Sequence, residues 1–538
     1  MNKSKKFNGE NIFGVIILIT LFFSINYAQS VSKVWVADNG DGSYKNPIIH
    51  ADYSDPDVVR VGDDYYLTAS SFSEAPGLPI LHSKDLVNWR IINHVFRQQE
   101  PLEVFAKPQH GNGVWAPSIR YQNGEFYIYW GDPDFGIYMT KTKNPAGQWS
   151  KPLLIKEAKG WIDACPFWDD DGNAYLVHAF AGSRAGFKSV LVVHKMSPDG
   201  TKLLDDGVMV FDGHDKHPTV EGPKFYKRNG FYYIFAPAGG VATGWQLILR
   251  SKNIYGPYEE HISLAQGKTA INGPHQGGWV TTQTGEDWFI HFQDKGAYGR
   301  IVHLQPMIWK NDFPIMGNGG EPVLTFKKPN VGKTFPIETP SESDEFNSST
   351  LGLQWQWHAN FQPTWAIPFP TRGVLRMNSV QIPENFKNLW DVPNLLLQKF
   401  PAEEFTATAK VTLEPRFEGE KFGLVVFGLG YSYIGVTNKD NKLYIAQATA
   451  RDADKGHTET ENVPFALNDK TFYLRVKVTK GAMASFSFSS DNKTFTNVGT
   501  PFKAREGKWI GAKVGFFYNH NGKFNDFGTA DIDWFRIE

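Results

Sequence analysis

The sequence predicts an all-β chain, a five-bladed β-propeller followed by a β-sandwich, and three observations point to it. The first is repetition. Five turns, at Gly62, Gly124, Gly172, Gly230 and Gly285, each lead into an aromatic-rich strand pattern: Tyr65-Tyr66-Leu67, Phe126-Tyr127-Ile128, Ala174-Tyr175-Leu176, Phe231-Tyr232-Tyr233-Ile234 and Trp288-Phe289-Ile290. These glycines stand 62, 48, 58 and 55 residues apart, a period that suits one four-stranded blade per repeat. The second observation is that the chain after residue 30 carries no long amphipathic helical period. Short β-patterned runs alternate with Gly, Asn, Asp and Pro turns,. The third is a change of pattern past the repeats. Residues 326–342 are Pro- and Lys-rich without periodicity and read as a linker, and from 343 to 538 the runs lengthen and alternate cleanly, as in Phe405–Val411, Tyr473–Val478 and Ala530–Ile537. Alternation of that kind gives strands with one buried and one wet face, hence two packed sheets.

Taken in order, the elements begin with residues 1–28. Lys3, Lys5 and Lys6 precede an apolar run from Ile12 to Ile25, and Asn26-Tyr27-Ala28 follows, the layout of a secretory signal peptide. The run is short for a membrane span. The single cysteine, Cys165, lies far from the N-terminus, so the sequence predicts export without disulfide, lipid anchor or membrane anchor. The bacterial periplasm is the expected compartment, with release beyond it as the other outcome. A net charge of −1 over 538 residues gives no electrostatic footprint for nucleic acid or an anionic membrane surface. Aromatics make up 15% of the chain, including 17 Trp and 21 Tyr, and flat rings that exceed the needs of packing suit the C–H faces of sugars.

The repeats, at residues 45–325, carry the chemistry. Seven to ten residues before the five glycines stand Asp55, Trp115, Asp163, Glu221 and His275. The innermost strand of each blade delivers such residues to one axis, so three carboxylates, a Trp and a His are expected to converge. Cleaving a glycosidic bond needs an acid to protonate the leaving oxygen and a second carboxylate as base or nucleophile. Small or rigid neighbours (Pro56, Ala164, Gly222 and Pro223) fix the backbone near each carboxylate,. Other polar residues have duller readings. Asp52 and Asp57 read as structural, Asp169, Asp170 and Asp171 as a solvated hairpin, Cys165 as a small buried hydrophobe, and Arg250 as blade packing.

The segments Asp55–Tyr66, His82–Trp89, Val114–Ser118, Glu221-Gly222-Pro223, His275–Gly278 and Gly299–Pro306 resemble glycoside hydrolase family 43. The likeness covers most of residues 45–325. The tail is similar to the concanavalin-like sandwich, a jelly roll, that follows the propeller in one branch of that family. The resemblance implies Asp55 as general base, Glu221 as general acid, and Asp163 as the group that tunes and orients that acid, with inversion of the anomeric centre. It implies Arg300, His275, Trp115 and Phe72 as sugar-binding residues. No cofactor is required, although some members hold a metal ion near the equivalent of His275. The implied partners are plant hemicellulose-derived oligosaccharides, and the implied activity is exo-acting release of α-L-arabinofuranosyl residues, with β-D-xylosidase or dual activity as the alternative. Arabinofuranose is favoured because Ser73-Glu74-Ala75 replace the bulky aromatics of many xylosidases, which would leave room beside the sugar. A non-catalytic sugar-binding propeller is the alternative of another class. The sandwich is expected to give support or a loop at the pocket rim.

Overall fold

The computed structural model describes residues 31–523 and 525–538; the expected signal peptide lies outside them. Five antiparallel sheets form the blades, four of them four-stranded and the last five-stranded, since Phe313–Met316 also pairs with Arg300–Lys310. The first consists of Asp57–Val61, Asp64–Thr68, Gly77–Ser83 and Trp89–Phe96, and the second of Trp115–Gln122, Glu125–Asp132, Gly136–Thr142 and Leu153–Glu157. The third runs Trp161–Trp168, Ala174–Phe180, Val190–Met196 and Val208–Asp212, and the fourth Lys224–Arg228, Phe231–Ala238, Trp245–Ser251 and Glu259–Ala265. The fifth is composite. His275–Thr281, Asp287–Asp294 and Arg300–Lys310 are joined by Ile49–Asp52 from the start of the chain, which pairs with the last of these. This closes the ring with hydrogen bonds between residues some 250 positions apart, the start of the chain supplying the outer strand of the last blade,.

The first strands surround the axis. Asp57–Val61 packs against Trp115–Gln122 and His275–Thr281, and Trp161–Trp168 packs against Trp115–Gln122 and Lys224–Arg228. Apolar side chains fill the spaces between blades, as where Ile162, Cys165 and Val177 meet Phe225, Ile234 and Leu247. The expected linker opens with a strand, Thr325–Lys327, that pairs with Ser43–Lys45. Farther along it, the hydroxyl of Thr339 accepts from the Ser32 amide at 2.8 Å and Glu342 accepts from Ser32 and Lys33.

The three alternating runs read in the sequence become Phe405–Glu414, Thr471–Thr479 and Thr529–Ile537, neighbours in a seven-stranded sheet. A second sheet, which contains Lys421–Phe427, Tyr431–Lys439 and Lys513–His520, packs on it. Their shared core holds Trp355, Leu375, Phe422, Phe516 and Phe535, and it also takes in Tyr298 and Ile301 of the fifth blade. The sandwich core therefore closes over two residues of the propeller, which keeps its own apolar clusters between its blades. The Tyr298 hydroxyl donates to Glu403 O at 3.0 Å and accepts from the Ala482 amide at 2.8 Å, and Ala75 exchanges backbone hydrogen bonds with Trp357.

Candidate active site

Every blade carries a left-handed residue at the N-terminal end of its first strand. These are Asp55 (φ 54°), Ala116 (φ 30°), Asp163 (φ 61°), Gly222 (φ 57°) and Gln276 (φ 35°). In three blades the pairing register shifts at the same point, between Trp115 and Ser118, Ile162 and Cys165, and His275 and Gly277. Such an irregularity releases the strand end from its ladder and re-aims a side chain. For the four that are not glycine the conformation costs about 1–3 kcal/mol each, which the surrounding packing has to hold. At Gly222 a Cβ would stand 2.7 Å from the Gln276 side chain, which would have to shift to admit it.

The five strand ends open into one cavity. Asp55, Asp163, Glu221, Trp115, Phe72 and Arg300 line it, as the sequence reading expects of these positions, and so do Ala116, Ile162, Val241, Gln276 and Trp509. His275 is placed differently. It is fully buried behind Glu221, with Nε2 2.9 Å from Glu221 Oε1, so its Nε2–H tautomer donates to that carboxylate. At this blade the wall of the cavity is Gln276.

The surroundings of the three carboxyl groups differ. Asp55 Oδ2 accepts from the hydroxyls of Ser54 and Ser70, each at 2.6 Å. Arg300 Nη1 donates to Asp55 Oδ1 and Oδ2 at 3.1 and 3.3 Å and to Ser54 Oγ at 2.8 Å. Asp163 Oδ2 accepts one hydrogen bond, from the Gly222 amide at 2.7 Å. Burial, and next the negative charge of Glu221, push the Asp163 carboxyl well above the usual carboxylate range; the Gly222 amide pulls the other way,. The Glu221 side chain remains 24% exposed, which leaves an oxygen open to whatever enters the cavity.

Aromatic rings form the remaining walls. Phe72 is fixed by a two-way backbone bridge with Val114, and Trp115 Nε1 donates to Gly111 O at 2.7 Å. Trp509 comes from the sandwich. Its ring meets Trp115 edge-on at 6.2 Å, and the Arg300 guanidinium lies 5.7 Å from its centre. The sequence reading expected a rim loop but named neither Trp509 nor Gln276. No periodic signal marks Trp509; a local cue would have been its place between Lys508 and Ile510 in a Gly-flanked turn, Gly507 to Gly511.

Several expectations are corrected. Ser73, Glu74 and Ala75 do not stand beside the cavity: the chain turns into the seam after Phe72. There the Ser73 hydroxyl donates to His110 O, Glu74 pairs with Lys513 of the sandwich at 2.5 Å, and Ala75 bonds Trp357. Asp169 is not a solvated turn residue, because Lys227 and the Tyr232 hydroxyl both bind its carboxylate, although Asp170 and Asp171 are exposed. Cys165 is buried in the apolar space between blades, as expected, and its Sγ also accepts from Arg120 Nη2 at 3.0 Å, while Arg120 pairs with Asp57 at 2.6 Å. Arg250 does pack a blade, between Phe231 and Phe313. Among the described residues no group of three or more His, Cys, Asp or Glu side chains is gathered as a metal would require. His275 keeps a buried, unpartnered Nδ1.

Comparison with known proteins accords with this geometry. The model of glycosyl hydrolases family 43 matches residues 44–314, and that of the beta xylosidase C-terminal concanavalin A-like domain matches residues 343–538. A protein of Xylanibacter ruminicola named "Putative beta-xylosidase" is 39% identical over 91% of this chain and 89% of its own length. The non-reducing end alpha-L-arabinofuranosidase BoGH43B of Bacteroides ovatus is 28% identical over 92% of this chain and 94% of its own. The crystal structure of the GH43 BlXynB protein from Bacillus licheniformis superposes with a TM-score of 0.80 at 26% identity, covering 92% of this chain and 99% of that one. A family model that spans all five blades, together with a relative matched almost end to end, places this chain in glycosyl hydrolases family 43, with a C-terminal concanavalin A-like domain.

Proposed function

We propose that the protein is an exo-acting, inverting glycosidase that removes one terminal pentose from hemicellulose-derived oligosaccharides, β-D-xylosyl in preference to α-L-arabinofuranosyl. The observation that carries the proposal is the cavity in which Asp55, Asp163 and Glu221 meet Arg300, with Trp509 from the second domain among its lining residues. A concave site with a few convergent polar groups among aromatic rings suits one terminal sugar. The preference for xylose rests on two supports. The relative at 39% identity bears a xylosidase name, whereas the arabinofuranosidase stands at 28%. The burial of residues 73–75 in the seam also removes the physical argument for arabinofuranose. Export to the periplasm completes the reading.

In this mechanism Glu221 gives its proton to the glycosidic oxygen as the bond from the anomeric carbon breaks. A water adds to that carbon from the opposite face, and its proton passes to Asp55. Water is consumed, and Glu221 regains a proton as Asp55 loses one. Asp55 is equipped for a base that must not wander, because two hydroxyls and a guanidinium hold it while it accepts. Asp163, without contact to the reacting atoms, confronts Glu221 with a second carboxyl and is itself held by the Gly222 amide. His275 holds Glu221 Oε1, which leaves the other oxygen for the leaving group. Trp115, Phe72 and Trp509 cover the apolar faces of the sugar.

Initial rates on nitrophenyl β-D-xyloside, nitrophenyl α-L-arabinofuranoside and xylobiose test the proposal. The expected result is a higher kcat/KM for the xyloside, by about 10-fold, the size of effect a small pocket difference gives. Binding of these sugars without turnover would overturn it in favour of a sugar-binding propeller, and a reversed ratio would restore arabinofuranose.

A further inference from the structure

Asp52 is outside the cavity, yet it touches both parts of the wall that the two domains share. The Arg300 amide donates to Asp52 Oδ1 at 2.8 Å, and the Gly511 amide donates to Asp52 Oδ2 at 3.0 Å. One carboxylate, 2% exposed, therefore ties the propeller residue that grips Asp55 to the sandwich loop that presents Trp509. The fit around it is tight. A Cβ on Gly299 would lie 2.6 Å from Asp52 Cγ, and one on Gly511 would lie 2.7 Å from the Gly299 amide nitrogen. The Ala512 amide donates to Ala297 O at 2.7 Å, and Lys513 reaches Glu74. The loop thus meets the propeller through consecutive residues. Trp509 itself has φ 66°, a left-handed conformation that a bulky residue keeps only where its neighbours impose it.

We infer that Asp52 is a positioning residue for the pentose site: its two oxygens set, in one group, the reach of Arg300 toward Asp55 and the placement of Trp509 over the sugar. Hydrogen bonds from amides to a buried carboxylate are strong and directional. A shift of the loop would move Trp509 relative to Trp115 without altering the carboxyl groups in the cavity. Asp52 therefore governs how the sugar is held more than how its bond is broken. This rests on the reading of the cavity as a glycosidase site.

The test is Asp52→Asn in the full chain. The amide side chain keeps one acceptor and turns a donor toward Gly511 or Arg300, so one of the two backbone amides loses its partner. In folded protein the KM for xylobiose should rise about 10-fold, the size expected from loss of a hydrogen bond to a charged group, with kcat changed much less. Gly511→Ala, which pushes the loop off Gly299 and leaves Asp52 intact, should give the same split between KM and kcat, and it decides the matter should Asp52→Asn fail to fold. Combined with Trp509→Ala, Asp52→Asn should add less than its loss as a single variant, since the share of its effect that runs through the Trp509 loop is already gone. Unchanged kinetics in folded Asp52→Asn and Gly511→Ala, or fully additive losses in the double variant, would overturn the inference. Wild-type protein run alongside separates the two claims: a wild type that turns over neither glycoside strikes the proposed function, whereas an active wild type with indifferent variants strikes only the role of Asp52.

Discussion

Asp55 and Asp163 occupy equivalent places two blades apart, with the same left-handed backbone (φ 54° and 61°) and nearly complete burial, yet their neighbours are opposite in kind. Asp55 is met by two hydroxyls and a guanidinium. Asp163 is met by one amide and by the charge of Glu221. The repeat therefore fixes where a carboxyl goes, and the residues contributed by other segments, Ser70, Arg300 and Glu221, fix what it can do. A propeller can thus give several functions to one structural position.

The change expected to disturb both neighbourhoods most is removal of the sandwich. A chain that ends at Pro336 would expose Tyr298 and Ile301, which now lie in the sandwich core, at about 1.5–3 kcal/mol for each large apolar side chain uncovered. It would also lose Trp509. We expect poorly soluble, inactive protein, checked by sedimentation and by turnover; a soluble and fully active propeller would show that the seam does not matter to Arg300 and Asp55.

Next in size is the contrast between the aspartates themselves. Asp55→Ala should reduce kcat on xylobiose by about 10⁴-fold, the upper range for a general base. Asp163→Asn should lose about 10²-fold, because it acts only through Glu221. Equal losses would erase the distinction. Glu221→Gln should resemble Asp55→Ala on xylobiose but recover much of its rate on nitrophenyl xyloside, whose leaving group needs little protonation.

Smaller, but more specific to Asp163, is its effect on stability. Its folded-state carboxyl is raised above the unfolded value near 3.8, so the folded protein binds the extra proton, and this contribution to stability is lost as pH rises above about 4. Asp163→Asn removes the dependence. The melting temperature of the variant relative to wild type should therefore climb between pH 4 and pH 7, as read by calorimetry; a difference that is flat or falls with pH would deny that Asp163 is strained. The smallest effect expected is that of Trp509→Ala, about a 10-fold rise in KM, within the range for lost aromatic contact.

The sequence showed the aspartates, Glu221 and Trp115 because repetition gives their positions an address: each stands seven to nine residues before a turn glycine. It could not show their partners. Arg300 reaches Asp55 across 245 residues, and only the family resemblance drew attention to it. Trp509 arrives from a different domain. The strand Ile49–Asp52, which completes the fifth blade, belongs to no repeat in the linear order. Residues 73–75 misled for a related reason: small size was read as space beside a sugar, whereas these side chains are packed against Lys513 and Trp357. Side-chain character is legible locally, but the direction in which it points depends on contacts made hundreds of residues away.

The difference between a carboxylate that activates water and one that attacks carbon is visible in the first product formed. Proton NMR during the earliest turnovers of a β-D-xyloside reads it directly. With Asp55 as the base, α-D-xylose should appear first and the β-anomer only later, by mutarotation. Initial release of β-D-xylose would mean a covalent sugar–enzyme intermediate, and would contradict the division of labour between Asp55, Asp163 and Glu221 argued above.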